Sequence, residues 1–544
     1  MKRLIASAIV AAALSTPAAD ACTSLIAAKG ATADGSTMIT YAADSHTLYG
    51  ELYKQPAADH APGEMREVRD WDSGRHLGYI PQPAHTYART GNMNEHGVTI
   101  AESTWGGRPE LAGSGIIDYG SLIYFALERS RTAREALEVM TSLVDKYGYA
   151  SEGESFSIAD PDEVWIMEMI GKGKSDPGAV WVARRVPDGY ISGHANHARI
   201  HTFPLKGDKN TLYSPDVISF ARKQGLYDGA DRDFDFSRTY AVTDLGALRG
   251  CDARVWAYYN KFLPKGSADA WLPWITRGEG EVMPLWVKPS RPVSADDLKW
   301  MMRDHFEDTP LDMTSDPGAG PYKVPYRWRP LTYKVDGKTY THERAIATQQ
   351  TGFSFVSNMR ADRHPAMRGV LWFGVDDANT CVYIPVFNSN SVVPRELAEG
   401  NGDMYNLSWD AMFWVNNYVA NQAYNRYSQM IPDIRRVQSR HESALTAAVD
   451  SVAATLTPDT DYSAARATLD GMTLRAAADV TRDYKALGDY LLVKYLDGNV
   501  KKESAPGEFV RTPEGTPAYP DFPGYDEQYY RSIVDSEGDR LRVE

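Results

Sequence analysis

The chain opens with an apolar run, Leu4 to Leu14, behind a short basic start at Lys2 and Arg3 and ahead of Pro17. This three-part layout, ending in Ala19-x-Ala21, predicts a cleaved secretory signal peptide over residues 1–21. Cys22 to Ala28 then reads as a short strand, Lys29 to Gly35 as a turn and Ser36 to Tyr41 as a second strand. If Ala28 faces Ser36, antiparallel register sets Cys22 opposite about Ala42, and Asp44 falls just beyond the start of the first strand.

Farther on, Met93 to Ala101 reads as a turn feeding a strand. Ile116 to Tyr147 carries apolar residues at helical spacing in two pieces, with Thr132-Ala133-Arg134-Glu135 as a capping box that restarts the helix and Gly148 closing it. Strand signals follow over 156–169, 179–186 and 190–196, with Asp160-Pro161-Asp162 and Pro187-Asp188-Gly189 as turns. From about Lys206 to Pro325 aromatics, Gly and Pro mix without periodicity, as in insertions around a site. Strands return between Ala345 and Phe387. After Arg395 the pattern turns helical over 409–428 and 437–495, and from Glu503 five prolines interrupt a Tyr-rich acidic tail expected to lie extended on the surface. The domain reading is therefore a catalytic region over 22–395 with insertions, a helical region over 396–502 and a tail over 503–544.

Composition narrows the function. Removing the leader from 544 residues leaves a chain too long for one compact core. No later apolar run approaches the roughly 18–20 residues a bilayer span needs, so no membrane span is expected in the exported chain, whose destination is the periplasm or the extracellular space. The net charge of −14 and the lack of a Lys/Arg cluster argue against nucleic acid as a partner. The motifs for phosphate loops, serine-hydrolase elbows and zinc helices are missing. His194, His197 and His201 sit on a strand-to-loop segment where their spacing fixes no pair on one face, so neither a metal nor another cofactor is expected.

The chemistry concentrates at Cys22. A cut after Ala21 makes it the first residue, with a free α-amine beside its thiol. That amine has an ordinary pKa of about 7.7–8.0 against about 8.5 for the thiol, so one residue supplies both nucleophile and general base. An acylated lipoprotein cysteine and an ordinary small core residue are the competing readings, although Asp20 fits a lipoprotein site poorly. Of the other two cysteines, Cys251 and Cys381, a disulfide closing a loop of about 130 residues and a pair of buried thiols are both open.

The run Cys22-Thr23-Ser24-Leu25-Ile26, the turn Lys29-x-Ala31-Thr32-x-Asp34-Gly35-Ser36, Asp44-Ser45, Asn94-Glu95-His96-Gly97-Val98, residues 190–200, Pro325-Tyr326-Arg327-Trp328 and Trp372-Phe373-Gly374 resemble the C69 family of dipeptidases. These are cysteine N-terminal nucleophile hydrolases, more distantly similar to penicillin V acylase and bile salt hydrolase. The resemblance implies an α+β, four-layer αββα sandwich and a secreted cysteine dipeptidase. It gives Cys22 as nucleophile, Asp44 orienting its amine and Asn196 in the oxyanion hole. Thr104 stands where bile salt hydrolases carry Asn for that hole, and Arg199 is a candidate clamp for a substrate carboxylate. Tyr41 replaces the Arg that the acylases place three residues before their Asp. An amidase of bile salt or penicillin type is the alternative activity, and a homo-oligomer stays open.

Overall fold

The computed structural model describes residues 22–206 and 208–544. The leader expected over 1–21 lies outside the described residues. The fold is α+β, built on two large antiparallel sheets with helices. Seven strands form the first in the order Trp286–Val287, Ile191–His194, Ser24–Ala27, Met38–Asp44, Thr351–Met359, Gly369–Val375 and Ile384–Phe387. Eight form the second: Thr211–Tyr213, Ala179–Arg185, Val164–Gly171, Gly153–Ala159, Thr99–Gly106, Met93–Asn94, Arg89–Thr90 and Lys54–Gln55.

The opening hairpin forms as its sequence dictates, one residue away from the expected register. Ile26 faces Ile39, Ala27 faces Met38, and Thr23 bridges Ala42. Gly30 and Gly35 supply the positive φ that the turn requires, at 83° and 74°. Every residue of both strands is buried, so the pair lacks the apolar and polar alternation of a half-exposed hairpin. Alternate residues serve two different cores.

Ile26, Ile39, Tyr41, Phe355 and Phe373 of the first sheet share one cluster with Ala101, Ile166, Val180 and Val182 of the second. On the other face of the first sheet, Leu25, Ala27, Met38 and Trp372 pack with Trp256 and Tyr258 of the Ala253–Phe262 helix. On the other face of the second, Ile100, Phe156 and Trp165 pack with Leu122, Phe125, Leu137 and Met140. Those last four lie on helices Tyr119–Leu127 and Ala133–Tyr147. The second helix restarts where expected: Thr132 accepts from the Glu135 amide at 3.1 Å, and Gly148 ends it with φ 77°.

Three long helices follow, Met412–Asn425, Tyr427–Thr455 and Tyr462–Lys494. They share a core with the sheets: Val415, Val419, Ile434 and Tyr484 join the cluster that holds Phe373 and Ile384. Asn416 donates to Val375 O at 2.9 Å and Tyr484 to Thr380 O at 2.6 Å. The tail departs from a fully extended course. It contains the helix Glu527–Glu537, started by Asp526, which accepts from the Tyr529 amide at 2.8 Å and thereby satisfies an otherwise unpaired donor of the first turn. Cys251 and Cys381 are both free thiols, so the disulfide reading is not realised.

Candidate active site

Cys22 precedes the Ser24–Ala27 strand of the first sheet, and its side chain faces the second. It is 6% exposed and lies at one side of a cavity of about 340 Å³. The wall is aromatic and acidic. Tyr53, Trp71, Tyr119, Tyr124 and Phe353 line it, as do the carboxyl groups of Asp44, Asp72 and Glu102. Among the described residues no Lys, Arg or His side chain lines it.

The thiol points at Glu102. Cys22 Sγ is 3.4 Å from Glu102 Oε1 and 3.9 Å from the Tyr41 hydroxyl, and Tyr41 itself donates to the same Glu102 oxygen. Glu102 lies on the Thr99–Gly106 strand, directly paired with the Gly153–Ala159 strand that carries Glu154. Burial, opposed by hydrogen bonds from Tyr41 and Glu154, pushes the Glu102 carboxyl up. Burial and then the charge of Glu102 push Glu154 up much further. Two carboxyls in contact out of water share a proton, and two hydroxyl or thiol donors converge on Glu102 Oε1. These donors favour Glu102 over Glu154 as the charged member of the pair. The thiol is raised well above its usual range, first by burial and then by the charges of Glu102 and Asp44.

Asp44 ends the Met38–Asp44 strand, as close to Cys22 as the hairpin register requires. Its Oδ1 accepts from Thr351 Oγ1 at 2.6 Å and its Oδ2 from Arg344 at 2.5 Å. Arg254, from the Ala253–Phe262 helix, is the other buried cation of the site. It donates to Cys22 O at 2.6 Å, Thr23 Oγ1 at 2.7 Å, Ala195 O at 3.2 Å and Asn196 Oδ1 at 2.9 Å. Arg254 thus ties the chain at Cys22 to Asn196. Asn196 has a left-handed backbone (φ 55°) just past the Ile191–His194 strand, and its Nδ2 donates to Thr104 O at 2.5 Å. An Asn tolerates that conformation where a branched residue is strained.

Thr104 and Arg199 are placed differently from their expected roles. The Thr104 hydroxyl donates to Glu154 Oε1 at 2.7 Å, so it supports the acidic pair, and Thr104 does not line the cavity. Arg199 is buried away from the thiol and spends its guanidinium on Gly193 O and Pro284 O, both at 2.6 Å. The three histidines face three separate partners. His194 lies between Ser103 and Ser157, His197 pairs with Asp252 at 3.0 Å and His201 with Asp235 at 2.8 Å. Among the described residues no cluster of His, Cys, Asp or Glu could hold a metal ion.

Sequence reasoning missed Glu102, Arg254 and Arg344. A glutamate among the polar residues Glu102-Ser103-Thr104 reads as a strand's outward face, and only the pairing of the two sheets turns it toward Cys22. Arg254 falls in the stretch without periodicity.

Comparison with known proteins gives this thiol a context. The profile of peptidase family C69 matches residues 21–440. A probable dipeptidase of Latilactobacillus sakei is 24% identical over 469 residues, 79% of this chain and 87% of that protein. A probable dipeptidase of Salmonella dublin is 26% identical over 333 residues, 57% and 71% of the two chains. Dipeptidase A of Lactobacillus helveticus is 25% identical over 430 residues, 73% and 81%. An α+β chain with these relatives and a thiol at an acidic cavity is a hydrolase. It belongs to peptidase family C69. No helix among the described residues is long and apolar enough to cross a membrane.

Proposed function

We propose that this chain is an exported dipeptidase of the N-terminal nucleophile kind, with Cys22 as the first residue of the mature protein. The observation that carries the reading is that no Lys, Arg or His side chain among the described residues lines the thiol's cavity, and the carboxyl the thiol does meet, Glu102, is by class a much weaker base than an amine. The thiol's hydrogen-bond partners among the described residues are Tyr41 and Glu102, and neither burial nor the flanking carboxylates favour a thiolate. A free α-amine on Cys22 supplies the proton acceptor that the site otherwise needs. The leader-like sequence before it and the family's name both support that reading.

In this mechanism the Cys22 amine takes the thiol proton and the sulfur bonds to the scissile carbonyl carbon. The resulting oxyanion is held by Asn196 Nδ2 and backbone amides. Collapse breaks the C–N bond, the ammonium returns its proton to the leaving amine, and water hydrolyses the thioester. Asp44, fixed by Arg344 and Thr351, orients the α-amine; Arg254 fixes the Cys22 carbonyl. The two sheets packed through a common core, each with helices on its other face, support an αββα layering. A catalytic region to about residue 395 with the helices beyond it as a covering region fits the same reading.

The test joins identity to activity. The purified exported protein is expected to begin at unmodified Cys22 and to hydrolyse dipeptides, and Cys22→Ala is expected to abolish turnover. An active protein with a longer or blocked N-terminus refutes the self-activated thiol.

A further inference from the structure

A carboxylate against a nucleophilic thiol is costly, because it opposes the charge that the reaction needs on sulfur. Glu102 nonetheless sits 3.4 Å from Cys22 Sγ, 1% exposed, and lines the cavity. Among the described residues its other oxygen has no hydrogen-bond donor besides the facing Glu154 carboxyl. The remaining acids of the wall are differently engaged. Asp44 is held by Arg344 and Thr351, and Asp72 is exposed at the rim, where it accepts from the Tyr119 hydroxyl at 2.9 Å. The cavity wall thus sets a buried carboxyl beside the reacting atom and, among the described residues, no Lys, Arg or His side chain to match it; the nearest cations, Arg254, Arg344 and the Cys22 amine of the mechanism above, are engaged behind the wall or with Asp44.

The geometry of an amino-acyl substrate supplies the match. In a near-attack complex the sulfur lies about 3–3.5 Å from the carbonyl carbon, and the α-nitrogen of that same residue is about 2.5 Å from the carbon by standard bond lengths. The nitrogen therefore lies within about 6 Å of the sulfur, a range that includes the hydrogen-bonding sphere of Glu102 Oε1. We propose that Glu102 is the binding partner of the substrate's free α-ammonium, so that this site takes peptides with an unblocked amino terminus and is completed electrically only when one is bound.

The proposal rests on Cys22 being the nucleophile of a dipeptidase and adds a role for the residue beside it. Two consequences follow from one charge. Without substrate, Glu102 holds the thiol in its protonated form. When the ammonium of the substrate pairs with Glu102, the carboxylate's opposition to a thiolate falls, and the nucleophile gains strength at the moment its target arrives. Tyr41, donating to Glu102, and Glu154, whose own carboxyl is pushed up further, favour Glu102 as the seat of the charge. Neutral or anionic acyl groups, such as those of bile salts and penicillins, receive no such help.

The experiment compares wild type with Glu102→Gln on a dipeptide and on its N-acetyl form, which share the scissile bond. Wild type is expected to favour the free amine. Glu102→Gln is expected to lose roughly 10- to 100-fold in kcat/KM on the free dipeptide, the worth of a charged hydrogen bond, while the N-acetyl rate holds or rises. In the same variant, alkylation of Cys22 by iodoacetamide without substrate is expected to accelerate, the opposite of what a damaged fold gives. Glu102→Asp, which keeps the charge, is expected to retain the preference for a free amine and serves if the Gln variant does not fold. A parallel loss on both substrates, or an unchanged free-dipeptide rate, overturns the proposal. If wild type cleaves no dipeptide, the dipeptidase reading fails separately. Calorimetry with alaninamide and N-acetylalaninamide then decides, tighter binding of the free amine that disappears in Glu102→Gln supporting the assignment and equal binding overturning it.

Discussion

Replacing Arg254 by Lys isolates the clamp that ties the Cys22 segment to Asn196. The guanidinium is almost fully buried and makes four bonds toward the site, to Cys22 O, Thr23 Oγ1, Ala195 O and Asn196 Oδ1, besides one from Nε to Gly250 O at 2.9 Å. Burial, then the nearby Arg344, hold its pKa down to about 10, so it is charged at neutral pH and Lys preserves the charge. Lys cannot preserve the fork: its three donors radiate from one nitrogen, and at least two of the five acceptors lose their partner. At about 1–3 kcal/mol for each buried group left unpaired, the loss is on the order of 3 kcal/mol. For a chain of 544 residues, at about 2.1 cal/mol/K per residue, this lowers Tm by only about 3 °C. Activity is expected to suffer far more. With the Cys22 carbonyl and Asn196 no longer held by one rigid group, a displacement near 1 Å in the proposed site costs on the order of 10²-fold. Steady-state kinetics on a dipeptide should show the fall in kcat with KM little changed, alongside a calorimetric melting curve. A variant within threefold of wild-type kcat, whatever its Tm, refutes the view that this clamp sets the geometry of the nucleophile.

Two further outcomes are expected. Burial lifts Glu168 and Asp304 to about 7 and Asp376 to about 8. The folded state therefore holds protons that the unfolded state has released above pH ~4–4.5, and stability falls as pH rises through 7–8. Tm should be higher at pH 6 than at pH 8, with on the order of 1 kcal/mol or more from each group, and Asp376→Asn should flatten the slope; a Tm that rises over this interval refutes it. Gly50→Ala places a methyl 2.0 Å from the carbonyl oxygen of Gly352, next to the Thr351 that holds Asp44. It should cost about 1–3 kcal/mol by overpacking and reduce kcat, read by thermal melting and turnover; unaltered values in both would show that the backbone there yields freely.

Much of the frame around the site was legible because it is local. The hairpin from Cys22, the arrival of Asp44 beside its start and the restart of the helix at Thr132 each depend on residues within one turn or one strand pair. The α+β class was legible from the alternation of strand and helix signals, and the C69 family from its dispersed motifs. What escaped is what only long-range pairing creates. Glu102 gains its meaning from the register that sets its strand over Cys22, Arg344 from contact with a residue 300 positions earlier, and Arg254 from a helix whose sequence mixes Arg, Tyr and Trp without a polar face. Thr104 and Arg199 mislead for the same reason. Their chemistry suits a substrate, but neighbours from other strands and loops claim it first.

The order of strands in the first sheet also governs time. The strand after Cys22 is sandwiched between Met38–Asp44 and Ile191–His194, and Asp44 receives Thr351 and Arg344 from far downstream. At about 5–20 residues per second, the ribosome reaches Arg344 roughly 15–60 s after Asp44. Until then the nascent chain carries Cys22 and Asp44 without the groups that fix them, so the site is assembled late, after more than half of the chain has been made.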